Sequence, residues 1–465
     1  MPRFESLADA VGGTPLIRLT RTGLRPRIYV KTEWTNPAGS VKDRAALSML
    51  QQALADGSLA AGGTVVETTS GNTGIGLAAY AAHLGLRSVV FTGSSVSKEK
   101  RDVLAAYGAD VRLVDAFVPK SHPDSLRSVA ERFVADTPGA WLAGQYDNPA
   151  NPAAHVRSTG PEIWADTDGQ VTHLVATIGT GGTISGTGRF LADVSGGRVQ
   201  VVGADPATSI YSGGDGSQKA IEGAGHFVHP DAETDPWPES FDPSVIDRYE
   251  PVDDTTAIRA IHDLARTEGI LAGGSSGVAL AAAYRVAEGL TEDDLVVVLL
   301  PDSGRNYLST YFDPTWLTAN GFDGDGSDGD GSARDGDAPR VGDLVTAPLR
   351  TAERDAITVA AVAALGPADG PVAVLHPRPR TAAPHPADVA GWTTAEALRT
   401  AAPDTLVGAL AEPVTARVGA GEHAATAVRR VAGSTPDWRH AVVLDAGRVT
   451  GLVARTALEQ SAEQA

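Results

Sequence analysis

The stretch GTVVETTSGNTGIGLAAYAAHLG, residues 63–85, carries two structural periods in succession. It begins as a short β-branched run of strand length, passes through a cluster of Ser, Gly, Asn and Thr, and continues as an apolar segment long enough for a helix. A buried strand that turns on small polar residues directly into a helix is the first half of a strand–helix–strand unit. The same order recurs at once, with RSVVFTG (87–93) followed by KEKRDVLAAYG (98–108). Further continuous apolar runs, HLVATIG (173–179), VQVVGAD (199–205) and DLVVVLLPD (294–302), read as strands buried on both faces. From Ile28 to Ser303 this alternation predicts an α/β fold, with parallel sheet covered by helices on both sides.

Composition narrows the function classes. The chain has 465 residues, 42% hydrophobic and 20% charged, enough for two or three globular cores. A net charge of −19 and the lack of a basic stripe argue against a nucleic-acid partner. With no cysteine, disulfides, thiolate catalysis and zinc ribbons are excluded. Residues 1–10 are polar, without the apolar centre of a signal peptide, and no run approaches the length of a membrane span, so a cytoplasmic protein is expected.

At FDGDGSDGDGSARDGDAPR (322–340) the composition collapses into Gly, Asp and Ser, which cannot bury enough apolar surface to offset chain entropy. The expected organisation is therefore a domain over 1–322, a linker over 323–340 and a module over 341–465. The Asp spacing in the linker misses the calcium-loop pattern and its closing Glu. Within the module, residues 344–365 resemble residues 409–431, and each copy leads to a strand, a Gly and a closing helix, in DVAGWTTAEAL (388–398) and GRVTGLVARTAL (447–458). Two copies of one small α/β unit imply a paired module.

The glycine-rich loops indicate what is bound. In HLVATIGTGGTISGTGRFLADV (173–194) a strand runs through Gly179, Thr180, Gly181, Gly182 and Thr183 into a helix, leaving amides free to hold a phosphate. The loop lacks the G-K-[ST] of a nucleotide P-loop. In the opening stretch, Gly74, Gly76 and Ala79 match the weak form of a dinucleotide fingerprint, but the next strand ends in Thr and Ser where an acidic ribose ligand is required. What that loop offers instead is Thr69, Ser70, Asn72 and Thr73, hydrogen-bonding groups suited to a carboxylate. The third element is NPAGSVKDRAAL (36–47), with Lys42 at a loop-to-helix junction. A lone lysine is ordinarily a solvated charge. One phosphate site, one carboxylate site and one lysine together fit pyridoxal phosphate holding an amino acid, because that cofactor carries a single phosphate and an aldehyde for a lysine Schiff base. His226 and His229 of HFVH have no evident third ligand, so no metal is expected.

VGGTPLIRL (11–19), NPAGSVKDR (36–44), TSGNTG (69–74), GTGGTISG (179–186), GGSSG (273–277) and LPDSGRNY (300–307) occur in this order. On these motifs the chain resembles the fold-type II pyridoxal-phosphate enzymes of the cystathionine β-synthase and cysteine synthase family. LPDSGRNYLSTYFDPTWL (300–317) looks more like the cystathionine β-synthase branch, and the paired module looks like a degenerate tandem CBS module. The resemblance implies that Lys42 forms the Schiff base and moves the substrate α-proton, and that Asn72 bonds the cofactor ring hydroxyl. It further implies that Thr69, Ser70, Thr73 and Gln145 bind the substrate carboxylate, that Gly179 to Thr183 hold the phosphate, and that Ser275 meets the pyridine nitrogen. A neutral hydroxyl there suits β-elimination to an aminoacrylate.

The implied activity is β-replacement on L-serine or an O-activated serine, with cystathionine formation from serine and homocysteine as first choice. A cysteine synthase or another maker of β-substituted alanines is the alternative, and a serine or threonine dehydratase is a more distant one. A homodimer is implied. Two departures stand out. His226 replaces the Tyr or acidic residue of many relatives, and the segment from His226 to Pro243 is hypothesised to shape acceptor choice; unchanged acceptor preference after shortening it would refute this. The module carries Ala454 and Ala457 in one copy, and Thr393, Thr394 and Glu396 in the other, a pattern that implies weak or no S-adenosylmethionine binding. With VGGTPLIRL opening at Val11, an N-terminal haem segment is not expected.

Overall fold

The computed structural model describes residues 3–69, 71–94, 96–232, 235–322, 339–345, 347–366, 369–377 and 383–463. They form two compact units. The first comprises residues 1–214 and 221–309; the second comprises 215–220 and 310–465.

The first unit holds two sheets. Strands β1 (Leu16–Arg18), β2 (Arg27–Thr32), β7 (His173–Thr177), β8 (Gln200–Pro206), β9 (Arg248–Val252) and β10 (Leu295–Leu300) pair in the order β1-β2-β10-β7-β8-β9. Only β1 runs antiparallel to its neighbour. Strands β3 (Thr64–Thr68), β4 (Arg87–Thr92), β5 (Asp110–Leu113) and β6 (Ala140–Leu142) form an all-parallel sheet in the order β5-β4-β3-β6. The apolar runs of the sequence are the central strands: every residue of β10 is buried, as are six of the seven residues of β8. Parallel strands need crossover connections, and helices α1 (Lys42–Asp56), α2 (Asn72–His83), α3 (Lys98–Ala106), α4 (Leu126–Asp136), α5 (Ala150–Arg157), α6 (Thr159–Asp166), α7 (Gly182–Ser195), α8 (Asp254–Glu268) and α9 (Gly274–Ala287) supply them.

Helix faces meet the sheets as their apolar positions dictate. In the smaller sheet's core, Met49 and Leu50 of α1 pack with Leu77 and Tyr80 of α2 and with Val65 of β3. In the larger core, Leu174, Val201, Val297 and Leu299 from the strands pack with Ile184 and Leu191 of α7. α1 stops at Gly57, whose φ of 79° is the left-handed cap that glycine adopts without a Cβ penalty.

The second unit begins with α10 (Pro314–Ala319) and then repeats one order of elements. β11 (Thr351–Glu353), α11 (Thr358–Leu365), β12 (Pro371–Leu375), β13 (Val389–Thr394) and α12 (Ala395–Thr400) are followed by β14 (Ala416–Gly419), α13 (Ala424–Ser434), β15 (His440–Asp445), β16 (Arg448–Ala454) and α14 (Arg455–Glu463). In each copy the first strand pairs parallel to the second, and the second antiparallel to the third. Residues 323–338 of the Gly- and Asp-rich segment lie outside the described residues. Among the described residues no helix is long and apolar enough to cross a membrane, and no cluster of His, Asp and Glu could hold a metal ion.

Candidate active site

Four of the sequence motifs open helices in the first unit: Lys42 begins α1, Asn72 begins α2, Gly182 begins α7 and Gly274 begins α9. The first amides of a helix have no intrahelical acceptor and carry partial positive charge, so each start is suited to an anionic group and unfavourable to a nearby cation.

The turn before Lys42 is tied down on both sides. Asp43 accepts hydrogen bonds from the amides of Ala38 (2.6 Å) and Ser40 (3.0 Å) and from the Tyr80 hydroxyl (2.7 Å). The Val41 amide donates to the Pro301 carbonyl at 2.9 Å, which fixes the turn to the end of β10. Lys42 Nζ makes no hydrogen bond among the described residues. Burial lowers its pKa from 10.5 to about 8, against the opposing charges of Asp302 and Glu33 and with support from Lys100. Behind the turn, the Arg44 guanidinium forks onto Glu33 (2.8 and 2.9 Å) and onto Glu162 (2.6 and 2.8 Å), and Lys31 also reaches Glu162 at 2.9 Å.

In the second motif, Gly71 has a φ of 134°, and a Cβ there would collide with the Lys100 side chain. Thr69 Oγ1 accepts from the Gly71 amide at 3.1 Å, and the buried Thr73 hydroxyl donates to Gln145 Oε1 at 2.5 Å. Thr69, Thr73 and Gln145 thus lie in one neighbourhood; Ser70 lies outside the described residues. The Gln145 amide donates to Glu67 at 3.1 Å, and burial raises the Glu67 pKa to about 7 although the amides of Gln145, Thr68 and Gly144 pull it down.

Asn72 is turned onto Asp302, donating to Oδ2 at 2.7 Å. The same oxygen accepts from the Tyr307 hydroxyl at 2.7 Å, and Lys100 Nζ donates to Tyr307 and to Glu222, each at 2.8 Å. Sequence reasoning gave Asp302, Tyr307, Lys100 and Glu222 no role. Asp302 and Tyr307 were within reach, since both lie in LPDSGRNY; Lys100 sits in an ordinary-looking charged helix, and nothing in the chain marks it as only 2% exposed.

The third motif joins β7 to α7. Gly181 caps α7 with a φ of 86°. Thr180 Oγ1 accepts from Asn151 at 3.3 Å, Thr183 Oγ1 lies 3.2 Å from His155 Nε2, and the Gly179 carbonyl accepts from the Tyr211 hydroxyl at 3.1 Å. Burial holds His155 neutral, well below the usual histidine range, and the charges of Arg44 and then Lys42 act in the same direction. His155 therefore connects the Gly179–Thr183 loop to the surroundings of Lys42. Ser275, buried near the start of α9, accepts at its carbonyl from Thr177 Oγ1 at 2.7 Å.

These residues fit pyridoxal phosphate on the structure's own terms. A lysine amine lowered to about 8 is partly neutral near physiological pH and so competent to condense with an aldehyde. The loop before α7 offers unpaired amides to a phosphate, and the Thr180 amide donates no backbone hydrogen bond among the described residues.

Comparison with known proteins agrees. The family model for pyridoxal-phosphate dependent enzymes matches residues 7–302. The chain belongs to that family. This pyridoxal-phosphate enzyme is 39% identical over 329 residues to a cystathionine beta-synthase of Apis mellifera, covering 69% of this chain and 63% of the relative. The match thus spans less than two thirds of that relative's length. It is 40% identical over 335 residues to an O-ureido-L-serine synthase of Streptomyces lavendulae, covering 69% of this chain and 98% of the relative. A crystal structure of an O-ureido-L-serine synthase superposes with a TM-score of 0.61 at 38% identity, over 71% of this chain and 98% of that one.

Proposed function

We propose that this enzyme catalyses β-replacement on L-serine or an O-activated serine, and that its first product is cystathionine, formed with homocysteine. The observation that carries the reading is the amine of Lys42, desolvated and without a hydrogen-bond partner among the described residues, at the head of α1 and within the electrostatic reach of Asp302 and Lys100. When bound, pyridoxal phosphate supplies an aldehyde for a lysine amine and a conjugated ring that withdraws electrons from a substrate α-carbon.

The chain's own residues do the rest. Lys42 anchors the cofactor and, once released, carries the α-proton of the substrate. Thr69, Ser70, Thr73 and Gln145 hold the substrate carboxylate, so that the α-carbon faces Lys42 in one orientation. Asn72 takes the ring hydroxyl, Gly179 to Thr183 hold the phosphate through amides and hydroxyls, and the Ser275 hydroxyl meets the ring nitrogen without a charge. A buried site excludes water, which favours addition of a nucleophile over hydrolysis to a keto acid.

A second reading is supported by the similarity to O-ureido-L-serine synthases, which cover nearly all of their own length in the match. On that reading the acceptor is not homocysteine but another nucleophile, yielding a different β-substituted alanine. Serine and O-acetylserine, each offered with homocysteine, sulfide and a panel of oxygen and nitrogen nucleophiles, would separate the two by product mass. Homocysteine consumption above all others supports cystathionine formation; preference for another acceptor supports the second reading, and keto acid without acceptor use defeats both.

The paired βαββα repeat supports a CBS-like module acting in dimerisation or stability. The Thr394 side chain caps α12 by accepting from the Ala397 amide at 3.0 Å, which leaves it less available to a nucleotide. Tight binding of S-adenosylmethionine in calorimetry would overturn this. A homodimer in the cytoplasm completes the proposal.

A further inference from the structure

Asp302 stands where three helix starts converge. It follows β10, and its backbone is bridged to that of Ser40, just before α1. Its carbonyl accepts from the amide of Gly273, just before α9, at 3.0 Å. Its side chain reaches Asn72, the first residue of α2, at 2.7 Å. An anion is favoured at such starts, where amides are left without intrahelical acceptors. The carboxylate is fully buried, and its two oxygens are placed differently. Oδ1 packs against Gly273, where a Cβ would lie 2.0 Å from it, so the side chain is wedged in one orientation. Oδ2 accepts from Asn72 and from the Tyr307 hydroxyl, each at 2.7 Å.

These contacts fix how the amide of Asn72 faces. The Lys100 amine, only 2% exposed, donates to the Tyr307 oxygen at 2.8 Å, and Tyr307 gives its single hydrogen to Asp302. A carboxylate only accepts. The atom of Asn72 that meets Oδ2 is therefore the amide nitrogen, and the amide oxygen is turned away. That nitrogen carries two hydrogens, and among the described residues the side chain of Asn72 makes no other hydrogen bond. Its second hydrogen is left for a ligand.

The orientation has a chemical consequence, because a carboxamide can present either end to a ring hydroxyl. Its oxygen would accept the hydroxyl hydrogen and keep that proton on the ring. Its N–H would donate to the ring oxygen and favour the form that has passed the proton on. We propose that Asp302 is a positioning residue: through Oδ2 it fixes the Asn72 amide so that an N–H, and not the amide oxygen, meets the ring oxygen of the cofactor. Tyr307, held in turn by Lys100, keeps Oδ2 in place. This rests on the proposal that Asn72 takes the ring hydroxyl. Of the charges that act on Lys42, that of Asp302 is the largest, which agrees with a place beside the cofactor lysine.

The test is the absorption spectrum of pyridoxal phosphate bound to the full-length holoenzyme, together with its rate of release after dilution. The bound cofactor absorbs at longer wavelength when its ring oxygen has passed the proton on than when it keeps it, so the spectrum reads which end of Asn72 faces the ring. Asp302→Ala should move absorbance toward the shorter-wavelength band and quicken release about fivefold, the size of one hydrogen bond. Asp302→Leu keeps the volume and is the second probe if the alanine variant folds poorly. Asp302→Asn separates the hydrogen bond from the charge. Its remaining oxygen is drawn to the Tyr307 hydrogen and still accepts from Asn72, so both readouts should stay near those of the parent. Asn72→Ala should act like Asp302→Ala, and in that background Asp302→Ala should add no more than Asp302→Asn does to the parent. If Asn72→Ala alters neither readout, the ring-hydroxyl assignment fails and takes this inference with it. If Asn72→Ala alters both while Asp302→Ala adds its full effect on top, or if Asp302→Asn is as impaired as Asp302→Ala, only the inference falls.

Discussion

Replacing Arg44 with Met would remove the cation beneath the Lys42 turn while keeping most of its side-chain volume. Arg44 is 3% exposed and Glu33 is fully buried, so the substitution strands a carboxylate that, among the described residues, keeps only the Thr14 hydroxyl and the Asn36 amide as side-chain donors. Removing one partner of a buried pair costs about 3–5 kcal/mol. The electrostatics of Glu162 give a similar figure. Burial by itself would raise its pKa, but hydrogen bonding and charge from Arg44, followed by Lys31, bring it from 4.5 to about 2. That difference is worth about 3 kcal/mol, of which Lys31 retains a share in the variant. With an unfolding entropy of about 2.1 cal/mol/K per residue and a unit of about 300 residues, the melting temperature should fall by roughly 5–8 °C. The sign of the pH dependence follows from the depressed carboxylate. Its contribution is complete above about pH 4.5 and is lost as pH falls toward 2. The deficit of Arg44→Met should therefore be largest at neutral pH and shrink in acid. Thermal unfolding at pH 7, and urea unfolding at pH 7 and 3.5, would measure both. A fall of under 1 °C at pH 7, or a deficit as large at pH 3.5 as at pH 7, would refute the reasoning.

Covalent capture of pyridoxal phosphate by cofactor-free protein should accelerate about tenfold per pH unit up to about pH 8 and then level off, because only the neutral Lys42 amine reacts. Stopped-flow absorbance would follow it, and a rate still climbing at that slope at pH 9.5 would show the amine to be unperturbed. Gln145→Ala and Thr73→Val should each raise KM for the amino-acid substrate by roughly 10–100-fold, the range for hydrogen bonds to a charged group, with cofactor absorbance unchanged. Loss of cofactor in either variant would count against a carboxylate role. Gly186→Ala drives a Cβ into the Pro152 carbonyl between α5 and α7, and should cost about 1–3 kcal/mol in denaturant unfolding; unaltered stability would mean the two helices separate freely.

Much of the site could be read in the chain because each motif combines a local backbone need with a local chemical one. Gly181 caps a helix at a φ that side chains rarely adopt, and the amides it frees are the proposed phosphate donors, so one short pattern reports both. The same holds for Gly71 beside Thr69 and Thr73. Lys100 and Tyr211 had no such signature. Lys100 looks like one of several charges on α3, and Tyr211 like a residue of a short turn; each acquires its role from partners more than 30 residues away in the chain, Glu222 and Tyr307 for one and Gly179 for the other. His226 stood out only as a departure from a resemblance, and its contact with Asp235 was hidden in the chain.

By itself the sequence determined the alternation of strands and helices, the parallel sheets, and the loops that open α1, α2 and α7, since hydrophobic period and turn chemistry act over neighbouring residues. Only the tertiary structure decided which charges are buried together. Desolvation and ion pairing depend on distances between segments remote in the chain, and those distances make Lys42 a weak base, set Arg44 between two carboxylates, and aim the hydrogen of Tyr211 at the Gly179 carbonyl.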